Sequence, residues 1–151
     1  MAIEIKPEVI KEIAGWLDTG MLCFYHKTTG QLESYPENLE DSGMEDMWSE
    51  VTEKIEANPD DYIAFEPMPS PEAFRVMETF VSTIEDTSTH TRFTDALSYK
   101  GPFKNFSNLL HHYPELREQW FMYKSASYIA YVEQLIAFEN DDFESDLDGD
   151  E

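Results

Sequence analysis

The stretch Met21-Leu22-Cys23-Phe24-Tyr25-His26-Lys27-Thr28-Thr29-Gly30-Gln31-Leu32-Glu33-Ser34-Tyr35 decides the fold class. Its first six residues are rich in β-formers, Gly30 supplies a residue that tolerates positive φ, and Gln31 to Tyr35 alternates, so the segment reads as a β-hairpin. N-terminal to it, Pro7 pre-sets a helical first turn. Ile10, Ile13, Ala14 and Leu17 follow at helical spacing, and Gly20 is placed to stop the helix, giving a first helix at 7–18. C-terminal to it, 36–43 is a polar connection. Met44, Met47, Trp48, Val51 and Ile55 then lie on one stripe of an acidic-faced amphipathic helix that Asn58-Pro59 closes. Tyr62 to Glu66 suits a third strand.

From Ser70 onward the pattern is helical. Ser70-Pro71-Glu72 combines a hydroxyl cap, a Pro in the first turn and an acid at the positive end of the dipole, ahead of a buried stripe of Phe74, Met77, Phe80, Val81 and Ile84. A short helix carries Phe93, Ala96 and Leu97. Gly101 breaks it, and Pro102 opens another with Phe103, Phe106, Leu110 and Tyr113. No Gly or Pro occurs between Glu115 and Phe138, which predicts one long final helix with an apolar surface of Leu116, Trp120, Phe121, Tyr128, Val132, Leu135 and Ile136. The expected class is α+β: a small antiparallel sheet, hairpin plus one strand, packed against a mainly helical C-terminal half.

Composition excludes more than it selects. The 151 residues suit one domain at 1–138 and an acidic, mobile tail at 139–151; 41% hydrophobic and 14% aromatic residues supply a core. Against 32 Asp and Glu stand 10 Lys and Arg, a formal charge of −22, which opposes non-specific attraction to nucleic acid or anionic lipid. The charge is uneven. Residues 1–67 carry 4 bases and 16 acids, residues 68–138 carry 6 and 8, and residues 139–151 carry 0 and 8. Neither a leader nor a membrane span is visible, and Cys23 is the lone cysteine, so a cytoplasmic protein without an intramolecular disulfide is expected.

The sequence carries no recognisable catalytic pattern. The six glycines never approach the spacing of a phosphate loop, and no Gly-x-Ser-x-Gly elbow occurs. Cys23 and His26 would point to opposite faces of a strand. His111 and His112 stand about 100° apart around a helix, unlike an i, i+4 ligand pair, so no metal and no cofactor are expected. Counted from Asp142, the tail has Leu147 where a calcium loop needs its sixth-position Gly and supplies no twelfth-position Glu. With 32 acids, close carboxylate pairs carry no information about acid–base chemistry, and the sequence leans away from an enzyme.

Recognition is the better expectation. Lys100, Lys104, His111, Arg117 and Lys124 are interleaved with Phe103, Phe106, Tyr113, Trp120 and Tyr123 in the near-neutral half. Such a mixture suits either phosphate contact with base stacking or a helix joint whose bases pair with neighbouring acids.

Three pieces also carry a resemblance: Ser70-Pro71-Glu72-Ala73-Phe74-Arg75-Val76-Met77-Glu78-Thr79-Phe80, Lys100-Gly101-Pro102-Phe103-Lys104-Asn105-Phe106, and Tyr113-Pro114-Glu115-Leu116-Arg117-Glu118-Gln119-Trp120-Phe121. Together with the Thr28-Thr29-Gly30 turn they resemble the uncharacterised bacterial protein family zero-one-five-eight over roughly residues 10–138. The chain departs from that pattern at Pro102 and in its acidic tail. The resemblance implies one cytoplasmic domain and assigns no activity. The candidate recognition face is therefore Arg75, Lys100, Lys104, Arg117, Trp120 and Lys124. An unidentified protein partner is expected first, a nucleic acid second, and no membrane. A non-enzymatic protein-interaction module leads; a nucleic-acid-associated regulator using the basic and aromatic face is the alternative, and an acidic nucleic-acid mimic a further one.

Overall fold

The computed structural model describes residues 3–37 and 43–149, with side chains through Asn140. Residues 38–42 of the expected polar connection, and the side chains of the acidic segment beyond 140, lie outside the described residues. The chain is α+β, with a three-stranded antiparallel sheet and a mainly helical C-terminal half. Its contacts group into two compact units: Met1–Pro67 with Tyr128–Glu151, and Met68–Ser127.

In the first unit, helix α1 spans Pro7–Asp18 and buries Ile13, Ala14 and Leu17. The Lys6 carbonyl receives the Val9 and Ile10 N–H groups, and Gly20, at φ 88°, closes the far end by donating to the Leu17 carbonyl. Strands β1 (Met21–His26), β2 (Leu32–Pro36) and β3 (Tyr62–Phe65) lie in the order β2-β1-β3. Cys23 stands opposite both Ser34 and Phe65 in register. Cys23 and Phe65 are buried, while Phe24 stacks on Tyr35 at 5.3 Å. The turn is held by His26, whose Nδ1 accepts from the Thr28 and Thr29 N–H groups at 3.2 and 3.1 Å. That role occupies one imidazole nitrogen and gives the histidine a structural function.

Helix α2 spans Ser49–Ala57 and buries Ile55. The expected stripe beginning at Met44 is corrected here. Glu45–Trp48 forms a 3-10 turn, whose three-residue period is out of phase with the helix after it. Met44 and Met47 are accordingly 54% and 73% exposed. A lysine of α2, Lys54, reaches Glu33 of β2 at 2.8 Å. The same unit contains Asn140, whose amide makes two hydrogen bonds to the backbone of Ile3, at 2.8 and 3.2 Å.

The second unit holds α3 (Ser70–Ser82), α4 (Thr87–Ser98), α5 (Pro102–Leu110) and the opening turns of α6, which runs Pro114–Gly149, beyond the expected end near 138. No helix breaker interrupts α6 before Gly149. Ser70 does not cap α3, since the capping position is Pro69, whose carbonyl accepts from Glu72 and Ala73. The true side-chain cap is at α4, where Asp86 accepts from the Thr89 N–H at 3.0 Å and its hydroxyl at 2.7 Å. Met77, Phe80, Val81, Phe93, Phe106, Leu110 and Trp120 form the core. Its rings meet edge to face or tilted: Phe106 with Trp120 at 4.9 Å, Phe80 with Trp120 at 5.3 Å, and Phe93 with Phe106 at 5.6 Å. Helices α3, α4 and α5, of 13, 12 and 9 residues and marginal alone, are thereby joined to the start of α6 through one aromatic cluster.

Candidate functional site

The Met68–Ser127 unit carries six of the ten bases and seven of the 32 acids, so most of the chain's negative charge lies elsewhere in the sequence. Arg75 is exposed on α3, Lys100 follows α4, Lys104 is on α5, and Arg117 is exposed on α6. Lys124, also on α6, is half-buried. Arg75, Arg92, Lys100, Lys104 and Arg117 form no ion pair with any carboxylate among the described residues. The Arg117 guanidinium instead lies 5.1 Å from the centre of the exposed Phe121 ring, one turn further along α6.

Trp120, expected on the recognition face, is 8% exposed and belongs to the core. Arg117 and Phe121, one turn apart on α6, lie on the same side of Trp120, about 60° and 100° round the helix from it, and both are exposed. Among the aromatics interleaved with these bases, Phe103 and Phe121 are exposed.

One trough in this unit brings several functional groups together. Between α4 and α5 lies an open depression of about 820 Å³ whose polar lining includes Arg92, Asp95, Lys100, Asn105, Asn108 and His112, with Tyr99 and Leu109 beside them. Its shape follows from Gly101, which at φ 73° and ψ 50° reverses the chain before Pro102 starts α5. Asn105 fixes the reversal by donating from Nδ2 to the carbonyls of Ala96 and Lys100, both at 3.1 Å. Tyr99, adjacent to the turn, is left 69% exposed. Arg92 is held from behind by the Tyr113 hydroxyl, which accepts from its Nη1 at 2.8 Å. Of the expected site residues only Lys100 lines this trough; Arg75, Lys104, Arg117 and Lys124 do not. Arg92, Tyr99, Asn105 and Asn108 escaped the sequence reading. The Tyr-Lys-Gly-Pro junction at 99–102 was the available signal, because a Gly-Pro reversal between helices exposes the residues before it.

A second depression, about 760 Å³, has the opposite character, carrying Glu85, Asp86 and Glu115 among its lining residues. Asp86 there is committed to the helix cap. Its hydroxyl and backbone bonds from Thr89, with Arg92 nearby, hold its carboxyl below the usual carboxylate range. Cys23 is far from nucleophilic: burial, helped by the charge of Glu12, pushes its thiol up to about 12. Among the described residues no group of three or more His, Cys, Asp or Glu could hold a metal ion, and no helix is long and apolar enough to cross a membrane.

Fold and surface thus define an acidic α+β protein whose helical unit bears an open, mixed-charge trough. The chain belongs to the Uncharacterised protein family (UPF0158), whose family model matches residues 20–149. It is also similar to the UPF0158 protein PA5073 of Pseudomonas aeruginosa, 26% identical over 76 residues, which is 50% of each chain. The chain thus spans about half the length of that curated relative. No solved structure matches.

Proposed function

We propose that the chain is a non-enzymatic, cytoplasmic protein-interaction module whose helical unit receives an acidic segment of a partner protein. The observation that carries this reading is the set of uncompensated bases. In a chain with 32 acids, Arg75, Lys100, Lys104 and Arg117 have no carboxylate partner among the described residues, and Arg92 has none at ion-pair distance, the charge of Asp86 acting on it from further off. Solvated pairs contribute only about 0–1 kcal/mol each, so leaving bases unpaired has little stability cost and keeps their donors available for a partner. The free, buried Cys23 thiol is compatible with a reducing compartment.

The test is affinity purification from the native host with and without nuclease, using wild type and the R75Q/K104Q/R117Q/K100Q variant. The proposal expects a defined protein partner that survives nuclease, is lost with the variant, and weakens as salt rises. A partner set that disappears with nuclease would overturn it. That outcome would favour nucleic-acid binding, the second reading, for which the Arg117 and Phe121 pair is the relevant feature: a cation over an exposed ring suits base stacking.

A further inference from the structure

We infer that the trough between α4 and α5 is the specificity site of this module, binding an extended acidic peptide with one carboxylate between Arg92 and Lys100. The inference rests on the interaction-module reading and narrows it to one place and one chemistry. Four observations on the trough favour this occupant.

The first is the mixture of donors and acceptors. Arg92 spends one N–H on Tyr113 and retains the rest, and the Lys100 ammonium donates no hydrogen bond among the described residues. Both suit a carboxylate. Asn105 uses its Nδ2 on the Ala96 and Lys100 carbonyls, which leaves its Oδ1 as an acceptor. Asp95 is a second acceptor, and the exposed, unbonded Asn108 amide offers both kinds of group. An ionised phosphate is chiefly an acceptor and would find Asp95 repulsive. A peptide brings N–H groups for Asp95 and Asn105, carbonyls for Asn108, and a side-chain carboxylate for the bases.

The second is openness. The volume, about 820 Å³, is that of a small-molecule pocket, but the depression is a shallow trough along two helices. Small ligands are held by burying most of their surface, whereas an open trough suits a segment that enters at one end and leaves at the other.

The third is the exposed Tyr99 ring, with Leu109 nearby in the lining. An aromatic anchor beside charged donors is a common arrangement at protein interfaces. It predicts an apolar or aromatic side chain close to the peptide's acid.

The fourth is long-range charge. A polyphosphate chain carries charge along its whole length and is opposed by the −22 of the protein, while a peptide concentrates its charge where Arg92 and Lys100 stand.

The test uses the full-length chain, immobilised, to select from a displayed random twelve-residue peptide library. Binding is then measured for the best peptide and for a twelve-nucleotide oligothymidylate. The expected result is enrichment of peptides that combine Asp or Glu with an aromatic or large apolar residue. Binding should fall at least tenfold in R92Q and in K100Q, fall less in R75Q/K104Q/R117Q, and remain within twofold in the control K11Q/K27Q, whose exposed lysines belong to the other unit. Circular dichroism and melting temperature verify that all variants are folded. Acidic peptides lost only with R75Q/K104Q/R117Q would overturn the trough and leave the module. Enrichment without acids, or none at all, would overturn both readings at this unit. Oligothymidylate binding that outcompetes the peptide and depends on Arg92 and Lys100 would assign the trough to nucleic acid instead.

Discussion

Arg92 and Tyr113 stand 21 positions apart in sequence and are joined by one hydrogen bond, Nη1 to Oη at 2.8 Å. The Tyr113 ring packs 5.4 Å from Phe93, a fully buried residue of the aromatic core, while its hydroxyl faces the guanidinium. Tyr113 therefore couples the core of the helical unit to the orientation of a trough residue. Replacing it with Phe keeps the ring and removes the acceptor. Chemical denaturation should show a loss of about 1 kcal/mol, since the donor is charged but the bond is exposed to solvent. Binding of the acidic peptide should fall several-fold because Arg92 loses its fixed direction. Unchanged binding alongside reduced stability would show that the bond serves only the fold.

Trp120 and Arg117 test the opposite assignments made for two residues of one motif. Trp120→Ala removes the ring that contacts Phe80 and Phe106, at a cost of about 3–5 kcal/mol for an aromatic deletion in a core. That is a large part of the stability of a small domain, so the far-ultraviolet spectrum and the melting transition should both change. Arg117→Gln loses only a surface contact with Phe121 and should leave the melting temperature within a few degrees. Equal, small effects of the two would place Trp120 at the surface.

How much of this was legible in the sequence depends on the range of the interaction concerned. The hairpin at 21–35, the strand at 62–65 and the helices beginning at Pro7, Pro102 and Pro114 follow from local signals, and each is present. The stripe at Met44 and Met47 failed because its helical period was assumed continuous through a 3-10 turn. The cap lies one position before Ser70, since Pro69 holds the extended backbone from which the helix starts. Arg92 and Asn105 were invisible for another reason. Arg92 becomes notable through Tyr113, and Asn105 through the carbonyls of Ala96 and Lys100, neighbours that only the packing of α4 on α5 supplies.

Gly101 supplies a prediction about the backbone. Its φ of 73° is left-handed, and a Cβ there would meet nothing within 4 Å, so the cost of a side chain is conformational and not steric crowding by neighbours. Gly101→Ala should destabilise by about 1 kcal/mol and Gly101→Asn by less, because Asn tolerates that region better. Equal stability of all three in urea denaturation would show that the turn relaxes to another conformation.

Asp86 gives the acid limb of the pH dependence. Its carboxyl is held low by the Thr89 hydroxyl and N–H, so the ionised form is favoured in the folded state. The stability it contributes is present above the unfolded carboxylate pKa, about 3.9, and is lost as pH falls through the lower folded value. The wild type should melt above Asp86→Ala at neutral pH, and the difference should shrink on acidification below pH 4. A difference that stays constant into strong acid would remove the ionised cap from the account.

Cys23 gives the alkaline limb, with the opposite sign. The buried thiol titrates at about 12 in the folded chain, against about 8.5 for an ordinary cysteine. Between those values the unfolded chain has released its proton and the folded chain has kept it, so unfolding is favoured progressively as pH rises. Wild type should therefore lose melting temperature between pH 8.5 and pH 12 faster than Cys23→Ala, which has no thiol to ionise. The same burial predicts that a thiol reagent at pH 8 labels the native protein only as fast as the sheet opens, and the denatured protein at once. Rapid labelling of the native chain would mean that Cys23, between Ser34 and Phe65 in the sheet, is accessible without unfolding.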